Sequence, residues 1–145
     1  MSNELPCYCA RIKEKRTTEL FSEILKKLKR DRLYRDPNYS AKQLAADINT
    51  NTRYLAATIH TKTGGNFNTL INNLRLLDAK RMLQSCKYQK LSLEEIALYS
   101  GFSSRQSFYR AFYKAYQTTP KQYRSSASET EDTDEIIFDA TPINQ

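Results

Sequence analysis

One pattern occurs twice in this chain and constrains its fold more than any other feature. Residues 40–43 read Ser-Ala-Lys-Gln and residues 92–95 read Ser-Leu-Glu-Glu, so the two copies start 52 residues apart. A Ser three residues before Gln or Glu forms a capping box, in which each side chain bonds the other residue's backbone N–H at a helix N-terminus. Each copy continues with Leu-Ala or Ile-Ala, a turn, and a second helical stretch. The repeat therefore predicts two helix-turn-helix units.

The rest of the chain up to residue 125 also has helical periodicity. Apolar residues recur at helical spacing from Thr17, which predicts a first helix ending near Tyr34, before Pro37. Asn66 caps a helix predicted over 67–85, and Thr119-Pro120 starts a short last helix. With only 3 Gly and 4 Pro, the chain lacks the turns of an all-β fold. We therefore predict an all-α fold of about seven helices, with two helix-turn-helix subdomains joined by a long linker helix.

The organisation along the chain follows from the same patterns. We predict that residues 1–18 are an N-terminal extension or linker remnant and that residues 19–125 form the folded domain. Within that domain, the predicted parts are a first helix-turn-helix over 40–64, a linker helix over 66–85 and a second helix-turn-helix over 92–117. Residues 126–145 are rich in Ser and acidic residues, which predicts a disordered acidic tail.

The charge is unevenly distributed. The chain has a net charge of +7, but 6 of its 16 acidic residues lie beyond residue 125, where no Lys or Arg occurs. The segment before them is therefore strongly basic, and binding to a polyanion would relieve its internal repulsion. A solvated basic face and an anionic membrane surface are the alternative explanations.

Catalytic and metal-binding chemistry has little support in the sequence. Three cysteines do not form a disulfide framework, and we expect reduced thiols. Cys7 and Cys9 are too close for the usual zinc pair, and the chain has one histidine, His60. We expect no catalytic residue, no metal, no cofactor and no small-molecule site. A redox or metal role for Cys7 and Cys9 is the alternative.

The second helix of each unit carries the residues expected to read DNA. Leu55 and Ile59 are expected to face the core, and a rotation of 100° per residue then gives the residues on the opposite, solvent-facing side of the first helix. The second helices of the two units align with a shift of 53 residues, so adding 53 gives the equivalent residues in the second unit. Arg can bond guanine and Gln can bond adenine in the major groove. In the first unit, the predicted base-reading residues are Arg53, Ala56, Ala57 and His60. The shift gives Gln106, Tyr109, Arg110 and Tyr113 in the second unit, and Arg105 lies beside them at the helix start. The base-reading residues predicted there are Arg105, Gln106, Tyr109 and Arg110.

A second set of residues fits contacts with phosphates, which position a protein without reading sequence. It consists of Thr52, Lys62, Ser103, Ser104, Lys114 and Lys121. Arg105 and Arg110 could instead be solvated or contact phosphates, and Tyr109 and Tyr113 could pack against neighbours.

Residues 19–125 resemble the DNA-binding domain of the AraC/XylS family of bacterial transcription regulators. The resemblance rests on residues 40–64 (SAKQLAADINTNTRYLAATIHTKTG), 74–83 (LRLLDAKRML), 96–104 (IALYSGFSS) and 119–124 (TPKQYR). It implies a seven-helix domain that binds double-stranded promoter DNA in the cytoplasm, associated with the nucleoid, and activates transcription through RNA polymerase. The family's base-reading positions match the eight residues named above.

Three residues depart from the family's pattern. Gln117 stands where a helix-ending Gly is common, so we expect a strained or altered turn there. Ala56 and Ala57 replace polar side chains, which weakens base readout by the first unit.

No ligand-sensing domain accompanies the resemblance, so the chain is expected to be a stand-alone regulator or the C-terminal piece of a larger one. Residues 33–40 resemble members attached to membrane sensors.

The linker gives the predicted geometry on DNA. A helix of about 28 Å could hold the two reading helices roughly one turn of B-DNA apart, so that a monomer reads two successive major grooves.

Two other functions remain open: a protein-interaction module, and a DNA-repair methyl acceptor using Cys7 and Cys9. The acidic tail could also fold back and compete with DNA.

Overall fold

Seven α-helices and two short 3₁₀ turns form the regular structure of residues 7–126, the part that the computed structural model describes. Side chains are described from residue 13 onward. The helices are α1 (Cys7–Arg30), α2 (Ala41–Asp47), α3 (Thr52–Thr63), α4 (Phe67–Gln84), α5 (Leu93–Tyr99), α6 (Arg105–Tyr116) and α7 (Pro120–Ser126). The 3₁₀ turns cover Leu33–Arg35 and Cys86–Tyr88. The described range contains no β-strand, and the prediction of an all-α fold with seven helices is confirmed.

Both predicted capping boxes are present. The Ser40 backbone N–H donates to Gln43 Oε1 at 2.8 Å, and the Gln43 N–H donates to Ser40 Oγ at 3.2 Å. In the second copy, Ser92 N–H donates to Glu95 Oε2 and Glu95 N–H donates to Ser92 Oγ, both at 3.1 Å. These bonds satisfy backbone donors that the first turn of a helix leaves without partners, so the sequence repeat places the starts of α2 and α5 correctly.

The ends of α3 and α6 are built alike although their residues differ. Gly64 ends α3 in the left-handed conformation, with φ 74°. Gln117 ends α6 in the same conformation, with φ 58°, and its N–H donates to Tyr113 O at 2.8 Å. The turn therefore keeps the shape that a Gly would give it. The strain expected at this position is present, because a side chain disfavours this conformation by about 1–2 kcal/mol.

The first helix is longer at its N-terminus than the sequence pattern predicts. It begins at Cys7 rather than Thr17, and it ends at Arg30, before the separate 3₁₀ turn Leu33–Arg35. Arg32 between them adopts φ 48°, which breaks the helix before Tyr34. The sequence of residues 10–16 is rich in Ala, Lys, Arg and Glu, which have high helix propensity even without apolar periodicity.

Two hydrophobic cores share the linker helix. Leu70, Ile71 and Leu74 of α4 pack with α1, α2 and α3 in the first core. Leu76, Ala79, Met82 and Leu83 of α4 pack with α5 and α6 in the second. One continuous helix is thus buried in both units, which couples their orientations.

A polar cluster of Arg35, Asp78 and Arg81 supports this junction. Asp78 is fully buried, and its carboxylate accepts hydrogen bonds from Arg35 Nε at 2.7 Å and Arg81 Nη2 at 3.1 Å. Arg75 Nε donates to the carbonyl of Tyr34 at 2.7 Å. Burial, with the nearby Asp78 carboxylate, raises the pKa of Tyr34 to about 12, so this phenol stays neutral at physiological pH. These bonds fix the turn after α1 onto α4.

The second unit also touches that turn directly. Gly101, between α5 and α6, has φ 105°, and a Cβ added there would lie 2.2 Å from the carbonyl oxygen of Tyr34 and 2.8 Å from Arg35 Cα. Only Gly permits this approach of two backbones. We refer to the contacts of Gly101, Tyr34, Arg35, Asp78 and Arg81 as the inter-unit clamp.

Several predictions concern residues outside the described range. The disordered tail predicted over 126–145 lies outside it except for Ser126, the last residue of α7. The side chains of Cys7 and Cys9 also lie outside it. Among the residues described, no group of three or more His, Cys, Asp and Glu could hold a metal ion. No helix in the described part of the chain is long and apolar enough to cross a membrane.

Candidate nucleic-acid interface

The first proposed reading face lies on α3 as the helical rotation predicts. Leu55 and Ile59 are buried in the first core. The four residues on the opposite side are exposed: Arg53, Ala56, Ala57 and His60. This face has few hydrogen-bonding groups, because Ala56 and Ala57 at its centre offer only methyl groups. Methyl groups suit contact with a thymine methyl or a close approach of the backbone.

The second proposed reading face, on α6, is richer in hydrogen-bond donors. Phe108 and Phe112 are fully buried, whereas Arg105, Gln106 and Arg110 are exposed. The Asn51 and Ser104 side chains cap the two reading helices, each accepting the backbone N–H three residues later.

Tyr109 is the one predicted base-reading residue that is partly buried. Its ring meets Phe108 edge-on, with centroids 6.0 Å apart. The Arg105 guanidinium lies 5.0 Å from the centre of the same ring, and its Nη2 donates to the Tyr109 hydroxyl at 3.3 Å. Tyr109 therefore orients Arg105 at the start of the reading face.

Most residues predicted to contact phosphates are exposed: Thr52, Ser103, Ser104, Lys114 and Lys121. The Ser104 hydroxyl also accepts the Ser107 N–H at 3.1 Å, because Ser104 is the N-cap of α6. Lys62 lies elsewhere. It is partly buried on the side of α3 that faces α1, and its Nζ donates to Thr18 Oγ1 at 2.8 Å. This bond favours a role for Lys62 in holding α1 against α3.

Neither reading helix contains an acidic residue. The sequences of α3 and α6 have no Asp or Glu, while α6 carries three cations, Arg105, Arg110 and Lys114. Both helices also pack against α4, which belongs to both cores. The two cationic or neutral faces are therefore parts of one body.

A groove flanks each reading helix on the same side. The groove beside α3 has a volume of about 470 Å³ and is lined from α1 by Lys13, Arg16, Thr17 and Leu20, and from α3 by Tyr54, Ala57, Thr58 and Thr61. The groove beside α6 has a volume of about 250 Å³ and is lined by Asn66, Asn68, Thr69, Asn72, Asn73 and Leu76, and from α6 by Ala111, Lys114 and Ala115.

The α1 side of the first groove was not predicted from the sequence. The signal was available, because Lys13, Arg16, Thr17 and Leu20 have the i, i+3, i+4, i+7 spacing of one helix face. The helical spacing of these four residues is hard to recognise, because two of them are charged and the face therefore shows no apolar pattern.

Comparisons with known proteins identify the family and the fold. A family described as "Helix-turn-helix domain", of the AraC/XylS type, matches residues 44–126. The xylose operon regulatory protein of Escherichia coli (strain K12) is 40% identical over 68 residues, which cover 47% of this chain and 17% of that protein. The chain therefore matches only a small part of that relative's length.

Two solved structures share the fold. The C-terminal domain of AraT, a response regulator from Geobacillus stearothermophilus, has a TM-score of 0.62 and 25% identity, covering 76% of this chain and 90% of that one. The DNA-binding domain of AdpA, a global transcriptional factor whose structure contains a target DNA, has a TM-score of 0.63. At 22% identity, over 72% of this chain and 89% of that one, the AdpA likeness concerns the fold alone.

Proposed function

The chain belongs to the AraC/XylS-type helix-turn-helix family of DNA-binding transcription regulators, and from this premise we propose that it reads two successive major grooves of one duplex as a sequence-specific regulator. The observation that carries the proposal is the attachment of two exposed, acid-free reading helices, α3 and α6, to one shared helix. The 18 residues of α4 span about 27 Å, somewhat less than the 34 Å turn of B-DNA. Bending of the duplex takes up the difference, at a cost of about 1–6 kcal/mol.

The reading residues divide by chemistry. In the second unit, Arg105 and Arg110 bond guanine edges and Gln106 bonds adenine, with Tyr109 orienting Arg105 or contacting a base. In the first unit, Arg53 and His60 are the polar readers, and Ala56 and Ala57 contact thymine methyl groups or let the backbone approach closely.

Phosphate contacts surround these residues and fix the register of the protein on the duplex. We assign them to Thr52, Ser103, Ser104, Lys114 and Lys121. Lys62 is left out because its hydrogen bond to Thr18 directs it toward α1.

Membership of the family supports a proposal for the biological role. We propose that the protein acts in the cytoplasm as a monomer on promoter DNA and activates transcription by contacting RNA polymerase. Leu98 and Tyr99 of α5 are 56% and 58% exposed and belong to neither reading face, so they offer apolar surface for that contact. The family is one of regulators rather than enzymes, and no catalytic role is proposed.

Selection of bound duplexes from a random library, followed by titration, tests the proposal. We expect the selected duplex to bind about 1,000-fold or more tightly than a scrambled duplex. Its affinity should fall steeply as salt rises, because phosphate contacts release counterions. Equal affinity for both duplexes would contradict sequence-specific reading. A tight complex with a protein partner that ignores salt would favour the protein-interaction alternative.

A further inference from the structure

The helix α1 flanks the first reading face with two cations that belong neither to the base-reading residues nor to the residues predicted to contact phosphates. Lys13 and Arg16 are exposed, and they line the groove of about 470 Å³ beside α3. Among the side chains that the structure describes, no acidic one lines this groove. Ala57, one of the proposed base-reading residues, forms part of its wall, so a duplex that reaches α3 must bring a strand close to it.

The internal repeat shows that this groove has a counterpart. A shift of 53 residues converts Thr58 into Ala111 and Thr61 into Lys114, and both of those residues line the groove between α4 and α6. The helix α1 therefore supports α3 as α4 supports α6. The two grooves flank equivalent sides of the two reading helices.

The positively charged residues of the two grooves lie on different helices: on the reading helix in the second unit and on the supporting helix in the first. In the second unit, the cation stands on the reading helix, at Lys114, and α4 supplies amides and a hydroxyl. In the first unit, the equivalent residue is the neutral Thr61, and the supporting helix α1 supplies Lys13 and Arg16 instead. Both grooves therefore carry positive charge on equivalent sides of the two reading helices, although the charged residues are not equivalent in the repeat.

We propose that Lys13 and Arg16 bind phosphates of the DNA strand that borders the first major groove, which makes α1 part of the DNA-binding surface. This inference rests on the proposed function. It explains how the first unit, with few polar readers on α3, is held on the duplex. The exposed Tyr54 at the groove's edge, 65% accessible, adds a hydroxyl that can donate to the same strand.

The test removes both cations in the variant Lys13→Ala/Arg16→Ala and measures Kd for the selected duplex from 50 to 200 mM salt. Two lost phosphate contacts should lower the slope of log affinity against log salt by about 1.8. The advantage of the wild type over the variant should then shrink about 12-fold across that range. Both positions are exposed and Ala favours helix, so the fold should persist.

A matched control comes from the same helix. Lys15→Ala/Lys26→Ala removes the same charge from exposed positions that the helical rotation puts on the opposite side of α1. We expect this control to keep the wild-type slope. If both double variants have the same slope while the wild type still binds the selected duplex specifically, this inference is overturned and the proposed function stands.

A rescue variant tests the equivalence of the two grooves. Adding Thr61→Lys to Lys13→Ala/Arg16→Ala places a cation where the second unit has Lys114, and the slope should rise again by about 0.9, half of the 1.8 that was lost. Failure to restore any slope would contradict the equivalence. If the wild type itself shows no salt-dependent duplex binding, the proposed function and this inference both fall.

Discussion

At the scale of single residues, the two reading helices differ in chemistry far more than in shape. Ala56 and Ala57 of α3 occupy the positions that Tyr109 and Arg110 occupy in α6, and both helices bury the same two core positions. We therefore expect the hydrogen bonds that discriminate between bases to be concentrated in the second unit. We expect substitutions in α6 to change sequence preference more than substitutions in α3.

Arg110→Ala should weaken binding to the selected duplex by roughly 5- to 150-fold, because a bidentate contact with a base contributes about 1–3 kcal/mol of discrimination. Binding to a scrambled duplex should change much less. Titration of both duplexes by fluorescence anisotropy measures the two effects. Lys114→Ala is the comparison: as a phosphate contact, it should weaken both duplexes alike and lower the salt slope by about 0.9. Equal losses with Arg110→Ala would make Arg110 a phosphate contact too.

Gly101→Ala should lower the free energy of unfolding by about 3 kcal/mol or more, because its Cβ would collide with the backbone of Tyr34 and its φ is unfavourable for a side chain. Gly64→Ala provides the control. Gly64 also has a positive φ, 74°, but a Cβ there meets nothing within 4 Å, so only about 1–2 kcal/mol should be lost. Urea unfolding followed by circular dichroism distinguishes them, and equal losses would show that the contact with Tyr34 contributes nothing.

At the scale of helices, the sequence predicts best where a local hydrogen bond decides the structure. The capping boxes at Ser40 and Ser92 and the Asn caps at Asn51 and Asn66 fix where four of the helices can begin, because their partners lie three residues away. The start of α1 was predicted ten residues too late, at Thr17 rather than Cys7. That helix depends on propensity and on packing against α3, which is distant in sequence, so no local pattern reveals it.

The end of α6 provides a prediction at this scale. Gln117→Gly should raise the free energy of unfolding by about 1 kcal/mol, because Gly adopts the left-handed conformation at no steric cost. Gln117→Ala should give no such gain, since Ala bears the same strain. The midpoint of urea unfolding, at an unchanged slope, reports the difference. A Gly variant no more stable than the Ala variant would show that Gln117 is not strained.

At the scale of the whole molecule, the arrangement of the two units depends on more than the linker. The sequence predicts a stiff rod, and α4 is such a helix, but Asp78 and Gly101 show that the units also touch through the inter-unit clamp. These contacts join residues between 3 and 67 positions apart, and an isolated sequence carries no signal for the longest of them. The clamp restricts any hinge at the middle of α4, so the spacing of the reading helices is set by the folded protein itself.

The most direct test of this fixed spacing is to insert five base pairs into the selected duplex and measure its affinity. The insertion lies between the two half-sites, which are the segments that α3 and α6 contact. The insertion separates the half-sites by about 17 Å more and turns one of them to the opposite side of the duplex. With α3 and α6 held on one body, affinity should fall to within a few-fold of a duplex that retains a single half-site. The same insertion outside the half-sites should have no effect. Unchanged affinity after the internal insertion would contradict the claim that both helices read one duplex at a spacing that the protein imposes.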